Sequence, residues 1–148
     1  MSKEDSFHLG VKAIIQNPEG KILLLQTPDR KIEKAYWDIP GGRVHKNESV
    51  ENALKREIYE ETGLQHVNRI EPFVMTLSTI RIPVTNGDVR LIFSVFLCEV
   101  VGDASIRLSA EHIYFEWVEC SRAAHLLSET FPSSLTEKLA HHQYSNSR

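Results

Sequence analysis

Glu57, Glu60 and Glu61 carry three carboxylates in close succession, and their spacing determines what they can do together. Residues at i, i+3 and i+4 of a helix are neighbours on one rigid element, so these side chains can offer hard oxygen ligands to a divalent cation of the Mg²⁺ type. The stretch VENALKREIYEETGL, starting at Val50, reads as such a helix. At roughly 100° of rotation per residue, Val50, Ala53, Leu54 and Ile58 form an apolar stripe. Glu51, Asn52, Lys55, Tyr59 and Thr62 are expected to face away. Glu57 and Glu61 project into the middle of the stripe, and Glu60 onto its flank beside Ala53. Carboxylates on a core-facing surface are costly unless positive charge neutralises them. With Lys55 facing away, Arg56 is the only cation close by in sequence. One guanidinium cannot balance three carboxylates, so a bound metal ion is the expected counter-charge.

The flanking residues frame this helix. Pro40-Gly41-Gly42 is a turn signal whose glycines let backbone approach a ligand. Asn47 or Ser49 can cap the helix N-terminus, and Gly63 suits the position that ends it. Arg43 follows the glycines directly, where its guanidinium can reach a phosphate or simply sit exposed in a turn.

Taken together, Gly42, Glu48, Arg56, Glu57, Ile58, Glu60, Glu61, Gly63 and Leu64 resemble the Nudix hydrolase signature, with every fixed position matched. Such a match would arise by chance in a chain of this length on the order of once in ten million. Weaker agreement, in NPEGKILLL, WDIPGG and AEHIYFEWV, spans Val11 to Leu127. The resemblance implies an α/β fold, a Nudix-type α/β/α sandwich with a mixed β-sheet, formed by residues 1–148 as a single domain.

It also implies hydrolysis of a diphosphate linkage in a nucleoside diphosphate derivative, with Mg²⁺ as cofactor and Mn²⁺ as a substitute. Glu57 and Glu61 would be metal ligands, with Glu60 in the same cluster and the Gly41 carbonyl completing it. Arg56 would orient a glutamate, or form an i, i+4 salt bridge to Glu60. Glu48 would support the loop and capping turn. The general base is left open among Glu57, Glu60 and Glu111, with His112 a weaker candidate. Gly42, Arg43 and Trp37 are candidates for contacting substrate, Trp37 more as a core anchor than as a stacking platform.

Composition sets outer bounds. The 148 residues are 41% hydrophobic and 25% charged, with a formal net charge of −3. That size suits one domain with a sizeable core, and the charge suggests no general attraction to nucleic acid or anionic membrane. Cys98 and Cys120 do not indicate a disulfide framework. The N-terminal MSKEDSFHLG carries charges where a signal peptide needs an apolar segment, so a cytoplasmic protein is expected. The expected partner is a small-molecule nucleotide or nucleoside diphosphate derivative, and a homodimer is compatible with the resemblance.

Along the chain, Leu9–Ile15 and Lys21–Gln26 read as a strand hairpin around Asn17-Pro18-Glu19-Gly20. Residues 27–35 read as a solvated basic loop or a lip over the substrate, with Arg30, Lys31 and Lys34. Val67–Val84 and Val89–Val101 read as strands joined by an Asn86-Gly87 type I′ turn. Pro72 and Pro83 are expected at strand ends or edges. LIFSVFL, apolar on both faces, reads as a central strand covered on two sides. Tyr114–Val118 reads as a short strand, followed by helices over Ser121–Ser128 and Ser133–His142, and a frayed QYSNSR tail.

The substrate is less legible. Ser78, Thr79 and Ile80 do not carry the residues that mark the ADP-ribose and diadenosine polyphosphate branches of the resembled family. Length and one compact domain favour a nucleoside triphosphate, cleaved to monophosphate and diphosphate. The alternatives are an ADP-ribose or nucleotide-sugar diphosphatase, or a non-catalytic nucleotide-sensing module on the same fold.

Overall fold

A computed structural model describes residues 2–29, 31, 34–101 and 104–143. Arg30 and residues 144–148, part of the expected lip and frayed tail, lie outside the described residues. The elements are β1 (Phe7–Gln16), β2 (Ile22–Asp29), β3 (Lys34–Asp38), β4 (Gly41–Arg43), α1 (Val50–Thr62), β5 (Asn68–Val84), β6 (Gly87–Glu99), β7 (Tyr114–Val118), α2 (Cys120–Leu127) and α3 (Ser133–Ala140).

The strands form one mixed sheet in the order β3-β2-β1-β6-β5, with β4 also paired to β1 and β7 to β2. β1 and β6 run parallel and the other pairs antiparallel. Alternation along β1 and β2 explains the layers. Val11, Ala13, Ile15, Leu23 and Leu25 point to a core shared with Ala53, Leu54 and Ile58 of α1. Ile14, Ile22 and Leu24 point to a second core shared with Leu127, Leu135 and Leu139 of α2 and α3. Helices therefore cover both faces, which is the α/β/α sandwich expected from sequence. Among the described residues, no helix is long and apolar enough to cross a membrane.

Several local expectations need correction. Residues 27–29 and 34–35 do not form a loop: β2 continues to Asp29 and pairs with β3 through Thr27↔Tyr36, Pro28↔Ala35 and Asp29↔Lys34. Cross-strand pairing overrides their polar character. The β5–β6 turn is centred one residue early, on Thr85-Asn86, with Gly87 (φ 126°) already paired to Val84. Neither Thr85 nor Asn86 has positive φ, so the turn is not type I′. LIFSVFL is covered on both sides only in its second half, where Val95 and Leu97 join one core and Phe96 packs against the other. The first half runs past the helices with β5, where Met75 is 65% exposed. Pro72 and Pro83 lie, as expected, in an edge strand, whose register is interrupted in three places.

Helix α1 begins where Ser49 Oγ accepts a hydrogen bond from the Asn52 N–H at 3.1 Å. It ends at Gly63 (φ 77°), whose N–H donates to the Tyr59 carbonyl. Thr62 does not face away as expected. It is fully buried, with Oγ1 donating to the Ile58 carbonyl, because the chain around Arg107 closes over this end of the helix and donates its N–H to the Thr62 carbonyl at 2.8 Å.

The cap should contribute about 1 kcal/mol. Ser49→Ala is therefore expected to lower the unfolding free energy by that amount, seen as a lower urea midpoint at unchanged slope, whereas Leu54→Ala should cost about 2–5 kcal/mol. Equal midpoints for Ser49→Ala and the parent chain would show that the cap does not hold the helix start.

Candidate active site

β1 and β2 share one register pair, Gln16↔Ile22, and then part company. β1 takes β4 as its new neighbour through Gly10↔Arg43, Val11↔Gly42 and Lys12↔Gly41. The segment Ile39-Pro40-Gly41 bridges the opening, with the Pro40 carbonyl accepting from the Ala13 N–H at 2.8 Å. Helix α1 lies against this bridge, so its carboxylates meet the Gly41-Gly42 backbone.

The approach is close enough to require glycine. A Cβ on Gly42 would overlap the Glu57 carboxylate, and one on Gly41 (φ 155°) would overlap the Val11 carbonyl oxygen. Glu61 is 7% exposed and its Oε1 accepts a hydrogen bond from the Gly41 N–H at 3.0 Å. Burial pushes its pKa up to about 7, against the opposing effects of that N–H and of Lys12. Glu57 is also raised, first by burial, with Arg56 opposing.

Lys12 corrects the expectation that Arg56 is the only cation at hand. It comes from β1, distant in sequence but buried beside the carboxylates. Its Nζ donates to both oxygens of Asp38 (3.1 and 3.3 Å) and to the Ile39 carbonyl (3.3 Å). Burial disfavours its charge, but Asp38 and then Glu61 outweigh that and hold the ammonium above its ordinary pKa. Sequence reasoning missed Lys12 and Asp38. The one available signal was a lysine interrupting the apolar alternation of β1 in GVKAII.

Arg56 positions carboxylates. It donates to Glu48 from Nε (2.6 Å) and Nη2 (3.0 Å), to Glu60 from Nη1 (3.0 Å), and to the Arg43 carbonyl from Nη2 (3.2 Å), and lies 3.4 Å from Glu57. Glu48 is held down to about 2 by Arg56 and by the His45 N–H, which it accepts at 2.9 Å. It supports the loop, as its place in the sequence suggested. Glu60 is exposed and turned toward Arg56, on the helix flank, while Glu57 and Glu61 face the glycines. Among the described residues no three acidic, histidine or cysteine side chains already converge as a metal cluster.

The remaining candidates surround this centre. Trp37 packs against the α2–α3 core and meets Tyr114 edge-on at 6.2 Å, which fits the anchor role. Glu111 and the buried His112 line a cavity together with Glu61, Gly41 and Asp38. Burial lowers the pKa of His112, favouring the neutral imidazole. On the other side of Glu57, the side chains of His8, Arg43, His45 and Lys46 line a second cavity of about 480 Å³. A third, also about 480 Å³, has mainly apolar walls that include Phe93, Phe131, Leu91 and Ile82. Tyr36 and Asp38 border both it and the acidic cavity.

These residues fit a divalent cation. The donor set is hard carboxylate oxygen, and two of the carboxylates are largely withdrawn from water on one helix face beside a single buried ammonium. Glu57 and Glu61 would hold the ion, with Glu60 and the Gly41 carbonyl within the same turn and loop.

Comparison with known proteins shows the family to which this fold belongs. The NUDIX domain family profile matches residues 6–139. The nucleoside triphosphatase NudI of Escherichia fergusonii is 30% identical over 111 residues, covering 72% of this chain and 77% of that protein. The octanoyltransferase of Myxococcus xanthus is 31% identical over 122 residues, covering 73% of this chain. The match spans only 29% of that protein's length. The crystal structure of a MutT protein from Methanosarcina mazei superimposes with a TM-score of 0.65 at 29% identity, covering 93% of this chain and 94% of the other.

The raised pKa of Glu61 has a measurable consequence for stability. Between the ordinary carboxylate value and about 7 the folded chain binds a proton that the unfolded chain releases. Stability of the metal-free protein should therefore fall as pH rises from about 4.5 to 7, by at most about 3 kcal/mol from this group. Urea unfolding in chelator at pH 5 and pH 7.5 should show that loss in the parent chain and a smaller one in Glu61→Gln. Identical pH slopes would contradict the buried, charge-disfavouring site described for Glu61.

Proposed function

We propose that this chain, which belongs to the Nudix family and is a hydrolase of pyrophosphate bonds in nucleotide derivatives, is a Mg²⁺-dependent nucleoside triphosphate pyrophosphohydrolase. The observation that carries the choice of substrate is the basic cavity beside Glu57, where His8, Arg43, His45 and Lys46 surround a space adjoining the carboxylate helix. Such a lining suits the anionic end of a polyphosphate. A nucleotide sugar would place a neutral hexose there, which offers nothing to these basic side chains. The similarity to a nucleoside triphosphatase supports the same reading.

Each group then has a task. A Mg²⁺ ion held by these carboxylates would neutralise phosphate oxygens and lower the pKa of a water molecule. Glu57 and Glu61 hold the ion, Glu60 belongs to the same ligand set, and Arg56 fixes Glu57 and Glu60 in place. Glu111 is the preferred base for the attacking water. It lines the acidic cavity together with Glu61 and makes no ion pair among the described residues. Arg43 and its basic neighbours receive the departing diphosphate, and the apolar cavity receives the nucleoside. Holding chain and water in line supplies most of the catalysis in reactions of this kind.

The test is product release across nucleoside triphosphates, ADP-ribose and nucleotide sugars, with Mg²⁺ or chelator. Triphosphates should give monophosphate and diphosphate, chelator should abolish turnover, and Glu57→Gln should lower kcat by roughly two or more orders of magnitude with the fold intact. Arg43→Ala should raise KM for a triphosphate more than for a nucleotide sugar. Preferential turnover of a nucleotide sugar or ADP-ribose would overturn the substrate assignment. Metal-dependent binding without product would identify a sensor.

A further inference from the structure

Lys12 stands where β1 should carry an apolar side chain. It lies on the same face of the strand as Ile14, which packs into the α2–α3 core, and its ammonium approaches the rings of Phe93 (5.5 Å) and Phe131 (5.9 Å). Stability does not account for this pair. Replacing a buried ion pair with apolar residues of similar volume is often neutral or stabilising. Hydrolysis does not account for it either, since no step described above uses Asp38.

The pair does fix one carboxylate in one orientation. The three hydrogen bonds of Lys12 Nζ all go to protein acceptors, two of them to Asp38. Asp38 Oδ1 additionally accepts from the Ile39 N–H at 2.7 Å. Among the described residues Oδ2 accepts from Lys12 alone, and it retains acceptor capacity. The Asp38 side chain keeps 18% exposure and borders the aromatic-walled cavity. That cavity is thus bordered by a tethered carboxylate acceptor, and the ammonium that tethers it spends its three hydrogen bonds on protein acceptors.

Resting on the reading that this cavity receives the nucleoside, we propose that Asp38, held by Lys12, selects nucleobases that present an exocyclic amino group over those with a carbonyl oxygen in its place. An amino group donates to the carboxylate in a charge-assisted bond. A carbonyl there sets two acceptors against each other away from water, which excludes the wrong base as effectively as a clash. Phe93 and Phe131 form apolar walls for a planar ring, while Asp38 reads its edge.

Three pairs of substrates differ by this exchange: ATP and ITP, CTP and UTP, GTP and XTP. For the base the cavity accepts, kcat/KM should favour the amino member at least about tenfold. Asp38→Asn offers a donor as well as an acceptor and should bring that ratio close to one through KM. Because Asp38→Asn leaves Lys12 without its main counter-charge, Lys12→Met/Asp38→Asn, which removes both charges, is measured beside it, with thermal melting to confirm folding. Equal turnover of amino and oxo members in the parent chain, or an unchanged ratio in both variants, would overturn the proposal. The same pairs as monophosphates, titrated calorimetrically in chelator, separate it from the hydrolase reading. Amino-selective binding without any triphosphate turnover would uphold the role of Asp38 and remove the enzyme assignment. Turnover without discrimination would do the reverse.

Discussion

The backbone at Gly41-Gly42 runs so near helix α1 that a methyl group on Gly42 would overlap the Glu57 carboxylate. That separation is set from both sides. β4 is pinned to β1 by three register pairs, and α1 is pinned to the sheet by Ala53, Leu54 and Ile58. Between them remains room for carboxylates and backbone, with no room for a side chain on the loop. Glu61 meets the Gly41 N–H there, Glu57 faces Gly42, and the other candidate site residues are arranged around this contact.

Charge follows from that geometry. Two carboxylates drawn partly out of water on one helix face repel each other, and the protein answers with two cations of different character. Arg56 spreads its planar fork over Glu48 and Glu60 and lies close to Glu57, so it fixes positions. Lys12 is a point charge delivered from another layer, committed to Asp38 and only secondarily felt by Glu61. Neither cation cancels the negative potential of the helix face, which leaves the site suited to a divalent ion.

The sequence revealed the helix and its close-set carboxylates because their spacing is local. Periodicity, a capping serine and a closing glycine all act within a few residues. It concealed Lys12 and Asp38 because their partnership crosses 26 positions and depends on β1 and β2 diverging after a single pair. The polar run at 27–35 misled for a similar reason. Residues 27–29 and 34–35 are strand-forming only because β2 and β3 supply each other's hydrogen bonds. Thr62 was misplaced because the segment that buries it arrives from position 107. Local chemistry was legible, while whatever required two distant strands to meet was not.

The walls of the apolar cavity come from β1, the β2–β3 hairpin, the β5–β6 hairpin and the chain after α2, with no residue from α1. In the proposed reading, the elements that recognise the nucleoside are therefore distinct from the helix that carries the carboxylates. Hairpins can change length and side chains without disturbing a helix anchored on the opposite face of the sheet. A lineage built this way can exchange one nucleotide for another by drift in its strands while the reaction stays constant. For the same reason, two chains that agree perfectly along the carboxylate helix need share nothing in what they consume.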